Sequence, residues 1–131
     1  EVEIRSAKPP RAWKGIEYVE GLGIDLERLS APYVLYDGPA LAGVRHFPQN
    51  VNIAAVLSMA GIGFDRTRLV AVADPTITTN THVINAKGKT GEISITLKNV
   101  PSPENPKTAW LACYSALAAL KQLQSPIRYG T

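Results

Sequence analysis

Two histidines are the side chains of this sequence best suited to proton transfer near neutral pH, because a free imidazole has a pKa of about 6.5. His82 follows Asn80 and Thr81 at the start of a predicted strand, and strand ends that lead into loops often carry functional groups. His46 lies at the end of a predicted helix, where a histidine commonly caps the helix or lies on the surface. From the residues alone, His82 is either a proton-transfer group or an ordinary strand residue.

Two asparagines flank Val51 at the start of a second predicted helix. Asn50 fits the N-cap position, where a side-chain oxygen accepts a hydrogen bond from the first turn. Asn52 falls inside an otherwise apolar helix, where a buried amide without partners would cost about 1–3 kcal/mol. Asn52 therefore either makes a structural hydrogen bond or holds its amide ready for a polar ligand.

The segment Asn105-Pro106-Lys107-Thr108 has the composition of a helix N-terminus, with asparagine as the cap and proline at the first helical position. Backbone N–H groups and the helix dipole attract anions at such an end. Lys107 and Thr108 would add a cation and a hydroxyl group for a carboxylate, although ordinary capping explains the same residues without a ligand.

Other common catalytic and binding motifs are absent from the sequence. The single cysteine, Cys113, excludes a disulfide framework and a cysteine-rich zinc site, and its alanine- and leucine-rich surroundings predict a buried core thiol. No serine has a Gly-x-Ser-x-Gly context, no Walker loop is present, and no metal-binding cluster is visible. Gly21-Leu22-Gly23 lacks the third glycine and the preceding strand of a dinucleotide-binding motif. The chain cannot build the usual dinucleotide-binding unit by itself.

Composition predicts a folded domain with few candidate partners. The chain has 131 residues, of which 45% are hydrophobic and 19% charged. These values exclude a disordered chain, and the low charged fraction suggests that a second subunit covers part of the surface. The net charge of +3 comes without a dense basic run, which argues against a nucleic-acid partner. The apolar run 110–120 is too short to span a membrane and no signal peptide is visible, so we expect a cytoplasmic protein.

The elements that must position these residues follow from apolar periodicity. About five strands, mostly antiparallel, with two or three helices on one face predict an α+β domain. The predicted strands are 1–7, 33–36, 69–73, 81–86 and 92–97. The predicted helices are 39–46, 51–60, which is apolar nearly all round and so buried on several sides, and one from Pro106 to the Ser125-Pro126 stop. Residues 11–32 are predicted as a loop with one helical turn.

The alternation of 92–97 predicts one covered and one wetter sheet face. The strand pattern at Glu1 indicates that the chain is a piece of a longer protein.

Several of these segments, taken in order, resemble the C-terminal domain of L-aspartate dehydrogenases. The resemblance covers nearly the whole chain, so we interpret residues 1–131 as one catalytic and dimerisation domain. The segment Asn99-Val100-Pro101-Ser102-Pro103-Glu104-Asn105-Pro106-Lys107-Thr108 is long enough to be specific. The other matching segments are Lys8-Pro9-Pro10-Arg11-Ala12-Trp13, Phe47-Pro48-Gln49-Asn50-Val51-Asn52-Ile53-Ala54-Ala55, Gly63-Phe64-Asp65-Arg66-Thr67, Ala73-Asp74-Pro75 and Asn80-Thr81-His82.

The resemblance implies an enzyme that oxidises L-aspartate to iminosuccinate, which hydrolyses to oxaloacetate and ammonia or feeds NAD biosynthesis. It implies a homodimer formed through the sheet, and NAD or NADP bound by an N-terminal Rossmann domain that this chain lacks. The family's active-site histidine falls on His82, and its cofactor-contacting asparagine falls on Asn52. For the substrate carboxylates we expect Lys107 and Thr108, with Arg66 and Asn80 as further candidates. Hydride transfer requires no metal.

The missing cofactor domain leaves a second interpretation open. The chain is either the catalytic half of a dehydrogenase or a non-catalytic, dimeric module that binds dicarboxylates. Binding of aspartate or oxaloacetate by this chain without a cofactor would favour the second interpretation.

Overall fold

The computed structural model describes residues 1–48, 51–104 and 109–127. The chain falls into two compact units, Glu1–Lys98 and Asn99–Thr131, and each is considered by itself below. Within the three described ranges, no helix combines the length and the apolar character that crossing a membrane requires.

A five-stranded mixed sheet forms the centre of the first unit. Its strands are β1 (Val2–Lys8), β2 (Tyr33–Pro39), β3 (Thr67–Ala73), β4 (Thr81–Gly88) and β5 (Gly91–Lys98). They lie in the order β2-β3-β1-β4-β5. Three of the four neighbouring pairs are antiparallel, while β1 runs parallel to β3. The predicted α+β fold with a mostly antiparallel sheet of about five strands is confirmed.

The ends of the strands follow from local chemistry. β1 stops at Lys8 because Pro9 and Pro10 cannot donate the hydrogen bonds of a ladder. β4 and β5 form a hairpin that closes at the pair Gly88 and Gly91, so its turn is shorter than the gap between the predicted strands 81–86 and 92–97. Gly91 has a φ of 145°, which side-chain-bearing residues rarely adopt.

Three helices accompany the sheet in the first unit: α1 (Glu17–Gly21), α2 (Ala40–His46) and α3 (Asn52–Ala60). Residues 11–32 are more ordered than the predicted loop, because they contain α1 and most of two 3-10 turns, Pro10–Trp13 and Leu26–Arg28. The fully buried indole of Trp13 anchors this segment to the sheet by donating from Nε1 to the Val72 carbonyl at 3.1 Å.

One face of the sheet, here called the core face, carries the hydrophobic core. Ile4 pairs with Leu69, and both are fully buried in a cluster that also contains Val19, Ala40 and Ala54 from the three helices. Because cross-strand partners share a face, the core face continues along β1 through Ser6 and Lys8. It continues on β4 through Ile84 and His82, the register partners of Ile4 and Ser6.

The core face is exposed where it reaches β5. Ile95 and Leu97 pair with Ile84 and His82, so they extend the same face. Ile93 is 63% exposed and Ile95 is 44% exposed, whereas Ile4 on β1 has no exposed surface. The alternation of β5 predicts a covered face, but no other described element of the first unit covers it.

Helix α3 is also less buried than its composition predicts. Ala54 and Ser58, one turn apart, are fully buried, whereas Val56 and Met59 are 60% and 68% exposed. Asn52 is exposed as well, because it lies about 200° around the helix from Ala54. The prediction of a buried amide at Asn52 is therefore wrong, and the prediction of an Asn50 cap lies outside the described residues.

The second unit contains helix α4 (Trp110–Gln124). Ala109 is extended, with φ −68° and ψ 128°, and pairs with Pro101 in an antiparallel bridge, so α4 begins at Trp110. The predicted helix start at Pro106 lies outside the described residues. Within the second unit, no described residue of α4 is buried. Cys113 is exposed, and the prediction of a core thiol is wrong because apolar neighbours along a helix do not by themselves cover one another.

Candidate active site

His82 lies on the core face at the boundary between covered and exposed strands. It is the second residue of β4, and it pairs with Ser6 on β1 and with Leu97 on β5. Only 5% of its surface is exposed. A nearly buried imidazole requires hydrogen-bond partners, because a buried polar group without them is costly.

Ser6 supplies one partner. Its Oγ lies 3.0 Å from His82 Nδ1, and the serine is itself 1% exposed. A hydroxyl group can donate or accept, so this contact is compatible with either tautomer of a neutral ring. When Nδ1–H donates to Ser6, the lone pair of Nε2 can accept a proton. The contact also fixes the orientation of the ring.

Lys8 brings a cation to the same buried cluster. It follows Ser6 by two residues on β1, which places both side chains on the core face. Lys8 is 7% exposed, and its Nζ lies 5.2 Å from the centroid of the Trp13 ring. An ammonium over an indole is attracted by the ring quadrupole, so Trp13 helps to hold the lysine inside the fold.

The electrostatics of this cluster favour neutral side chains. Burial lowers the pKa of Lys8 to about 8. Burial lowers the pKa of His82 to about 4, and the charge of Lys8 contributes in the same direction. His82 is therefore neutral at physiological pH, which is the state that a general base needs before it accepts a proton.

Asn80 and Arg66, both predicted to bind substrate, lie in different places. Asn80 is half-buried two residues before His82, at the same end of β4. Arg66 is exposed just before β3, where its Nε donates to the Ile62 carbonyl at 2.9 Å. Five residues along β3 separate it from Ala71, which lies in register with Ser6, a distance of about 16 Å. The fold thus brings Asn80 near His82 and leaves Arg66 towards the other end of the sheet.

The remaining predicted site residues are not seen beside His82. Asn52 is exposed at the start of α3. Lys107 and Thr108 lie outside the described residues. His46 is exposed at the end of α2 and stacks on Tyr18 with a centroid distance of 4.1 Å, as the surface interpretation predicts.

Sequence reasoning missed Ser6, Lys8 and Trp13 as parts of the site. The signal was present, because alternation along β1 places Ser6 and Lys8 on the face that carries Val2 and Ile4. The predicted strand 1–7 ends one residue before Lys8, so the prediction does not include the lysine.

A cleft of about 390 Å³ lies close to this end of β1 but is distinct from the His82 cluster. The residues after Lys8, including Pro9 and Arg11, form one wall, and Pro75 and Ile77 after β3 form another. His82 does not line the cleft. Among the described residues, no group of three or more His, Cys, Asp or Glu side chains is arranged to hold a metal ion.

Comparisons with known proteins agree with the resemblance in the sequence. Residues 1–123 match the family model described as "Aspartate dehydrogenase, C-terminal". An L-aspartate dehydrogenase of Methanosarcina barkeri is 47% identical over 130 residues, and one of Nitrosopumilus maritimus is 43% identical over 131 residues. Each alignment covers 99% of this chain and 48% of the relative, so the chain spans about half the length of these relatives.

A solved structure shares the fold. The crystal structure of aspartate dehydrogenase from Thermotoga maritima superposes with a TM-score of 0.76 at 27% sequence identity. The match covers 99% of this chain and 46% of that chain. The sequence, the fold and these matches together show that the chain belongs to the family of aspartate dehydrogenase C-terminal domains.

Proposed function

We propose that the protein carrying this chain is an NAD(P)-dependent L-aspartate dehydrogenase, and that residues 1–131 form its catalytic and dimerisation domain. L-aspartate loses a hydride from Cα and a proton from nitrogen, which gives iminosuccinate. Water then adds to the C=N bond and ammonia leaves, which gives oxaloacetate. The observation that carries this proposal is the neutral, nearly buried imidazole of His82, anchored through Nδ1 to Ser6.

In this reaction His82 acts as the general base. The amine of aspartate must lose its extra proton before a C=N bond can form, and Nε2 of a ring anchored through Nδ1 is the atom to take it. The same nitrogen can then assist the water that attacks the imine. The burial of the ring reduces competition from bulk water for that proton.

The cofactor, NAD or NADP, accepts the hydride and is proposed to bind mainly through a Rossmann domain outside these residues. Asn52 fits a supporting role, because its amide is exposed at the start of α3 and can reach a group that approaches from outside the unit. A side-chain amide can both donate to and accept from the carboxamide of a nicotinamide ring. We therefore propose Asn52 as a nicotinamide-side contact.

For the substrate carboxylates, position favours Asn80 over Arg66. Asn80 lies at the same end of β4 as His82, whereas Arg66 is separated from this end by most of β3. Lys107 and Thr108 stay predictions, because they lie outside the described residues.

Replacing His82 tests the proposal directly. In the full-length protein we expect His82→Gln to lower kcat for L-aspartate oxidation by about 10²- to 10⁴-fold, with a much smaller effect on substrate binding. The measurement is steady-state formation of reduced cofactor, together with calorimetry of substrate-analogue binding. His46→Gln is the matched control, since His46 is exposed and stacks on Tyr18. Wild-type kcat in His82→Gln would refute the role of His82.

We further propose that a second copy of the chain covers the exposed core face at β5. Ile93 and Ile95 are exposed there, and α4 exposes Leu117 and Leu120 in the second unit. Such apolar surface is unusual on a monomer and typical of homodimer interfaces. We expect Ile95→Lys to shift the full-length protein towards monomers in sedimentation velocity. Thr96→Lys, exposed one residue away on the opposite face, should leave the dimer intact, and equal behaviour of the two variants would contradict this interface.

A further inference from the structure

The second polar side chain that β1 contributes to the site is Lys8. It is almost as buried as His82, and Trp13 constrains its ammonium group. Trp13 is in turn fixed by its hydrogen bond to the Val72 carbonyl. The fold therefore holds a lysine at a defined position beside the proposed base.

We propose that Lys8 pairs with a carboxylate of the bound dicarboxylic substrate, and that this pairing makes His82 a stronger base only when substrate is present. The inference rests on the proposed function, because it assigns the substrate group that the ammonium receives. Lys8 is a substrate-binding residue in this proposal, and it acts on proton transfer as a positioning residue through His82.

The positions of Lys8 and His82 on the core face support this pairing. Ser6 lies directly opposite His82, and Lys8 is two residues further along the same face of β1. Two strand residues span about 6.6 Å. Lys8 and His82 are therefore close neighbours on the core face, and the charge of Lys8 acts on the ring. The amine and the carboxylates of a four-carbon dicarboxylate also lie close together, so one bound molecule could place a carboxylate at Lys8 Nζ while its amine lies at His82.

The charged groups around His82 support the effect of this pairing on its basicity. Strand β1 presents Ser6 and Lys8 towards His82, and β5 presents the uncharged Leu97. The nearby Asp74 directs one carboxylate oxygen to Thr76, which donates from its backbone N–H at 2.9 Å and from Oγ1 at 2.6 Å. Burial disfavours the charged form of Lys8 more than the contacts of its ammonium group stabilise that form, because the pKa of Lys8 is lowered to about 8. An arriving carboxylate would compensate the charge that now disfavours protonation of His82.

Linkage makes this effect reciprocal. If a bound dicarboxylate raises the pKa of His82, protonation of His82 must strengthen dicarboxylate binding by the same factor. Before substrate binds, the base stays neutral, and once substrate binds it gains affinity for the proton that the amine must lose.

The test uses the full-length protein and succinate, a dicarboxylate without the amine that reacts. NMR of the imidazole ring follows the titration of His82, identified from its loss in His82→Gln. In the wild type we expect succinate to raise the pKa of His82 from about 4 to about 5 or higher. No change in the wild type would overturn the proposal without any variant.

Lys8→Met separates charge from packing. Methionine keeps an unbranched side chain of similar length, and removing a buried charge should not unfold the protein. We expect weaker succinate binding by about 10- to 100-fold, a raised pKa of His82 in the unbound protein, and no further rise on adding succinate. The control is Lys87→Met, at the other end of β4, where Lys87 pairs with Glu92 at an exposed position.

The outcomes distinguish this inference from the proposed function. If Lys8→Met binds succinate as tightly as the wild type while His82→Gln has lost turnover, the inference fails and the dehydrogenase proposal stands. If His82→Gln keeps wild-type turnover, the role of His82 as the base fails, and this inference fails with it. If the wild type does not oxidise L-aspartate, the proposed function fails. A weakened Lys8→Met together with an unchanged Lys87→Met supports a specific carboxylate contact.

Discussion

The core face is buried over one half of the sheet and exposed over the other half. Over β2, β3 and β1, here the covered half, helices α1 to α3 bury the core face, and Ile4 and Leu69 have no exposed surface. Over β4 and β5, here the open half, the apolar pattern continues but Ile93 and Ile95 remain largely exposed. His82 lies on β4, next to the covered half, and its partner Ser6 belongs to the covered half.

The difference in burial between the two halves explains why a site forms at their boundary. A histidine deep in the covered half would be shut off from ligands, and one on β5 would be solvated and ordinary in its pKa. At the boundary, His82 has a hydrogen-bonded and largely buried ring while a neighbouring strand exposes the same face. Buried hydrogen bonds thus fix the ring, and the open half leaves room for a ligand or a partner.

The largest contrast is expected from matched truncations in the two halves. Ile4→Ala should lower the free energy of unfolding by about 2–5 kcal/mol, because it removes a fully buried side chain and leaves a cavity. Ile93→Ala should change it by within about 0.5 kcal/mol when the protein is monomeric, because Ile93 is already exposed. Urea unfolding of the full-length protein measures both, at a concentration where sedimentation velocity shows monomers. Equal costs in the monomer would show that the chain itself covers the open half.

Lowering the pH should reduce the free energy of unfolding through His82, which lies at the boundary between the halves. The folded-state pKa of His82 is about 4, below the ordinary 6.5, so between these values the unfolded state binds more protons than the folded state. Stability is therefore fully present above pH 6.5 and declines as the pH falls towards 4, by about 3 kcal/mol. Lys8 acts in the same direction at higher pH, with stability rising between pH 8 and 10.5.

Urea midpoints at pH 7 and pH 4.5 measure the acid effect. His82→Gln should lose less stability between these two pH values than the wild type does, because its neutral amide does not titrate. Identical acid sensitivity of the two proteins would mean that His82 is solvated.

A smaller effect should follow from filling the helix–sheet contact of the covered half. A Cβ atom at Gly43 in α2 would collide with the buried Leu69 Cδ2 and would lie 3.0 Å from Tyr36 Cε1. Gly43→Ala should therefore cost about 1–3 kcal/mol. Gly21→Ala is the matched control, since a Cβ atom there meets nothing within 4 Å, and it should be neutral or slightly stabilising. Differential scanning calorimetry compares the two, and a neutral Gly43→Ala would indicate loose packing of α2.

Much of the fold was accessible from the sequence because strand periodicity is local. The alternation of Ile93, Ile95 and Leu97 predicts β5 and its apolar face correctly. It does not reveal what covers that face, since coverage depends on distant parts of the chain or on a partner. Residues 11–32 were harder, because Trp13, Val19 and Leu26 have no regular spacing and are united only by the core that they share.

The candidate site was accessible only in part, for a similar reason. His82 and Asn80 stand close in the sequence, and the fold keeps them close. Ser6 and Lys8 reach His82 only because β1 and β4 pair across more than seventy residues. For Asn52 the local sequence was misleading. The apolar residues around it predict a buried side chain, but its own position on α3 is exposed.

The position of β1 in the sheet has a consequence for synthesis. It is the central strand and the first along this chain, and Val2 pairs with Thr67 on one side and with Ala86 on the other. At roughly 5–20 residues per second, a ribosome takes several seconds to complete the partners of β1. During that interval both edges of β1 and its apolar side chains lack their native neighbours. The sheet must then close through contacts distant in sequence, which is typical of slow folding, so this chain should be most vulnerable to aggregation before β4 emerges.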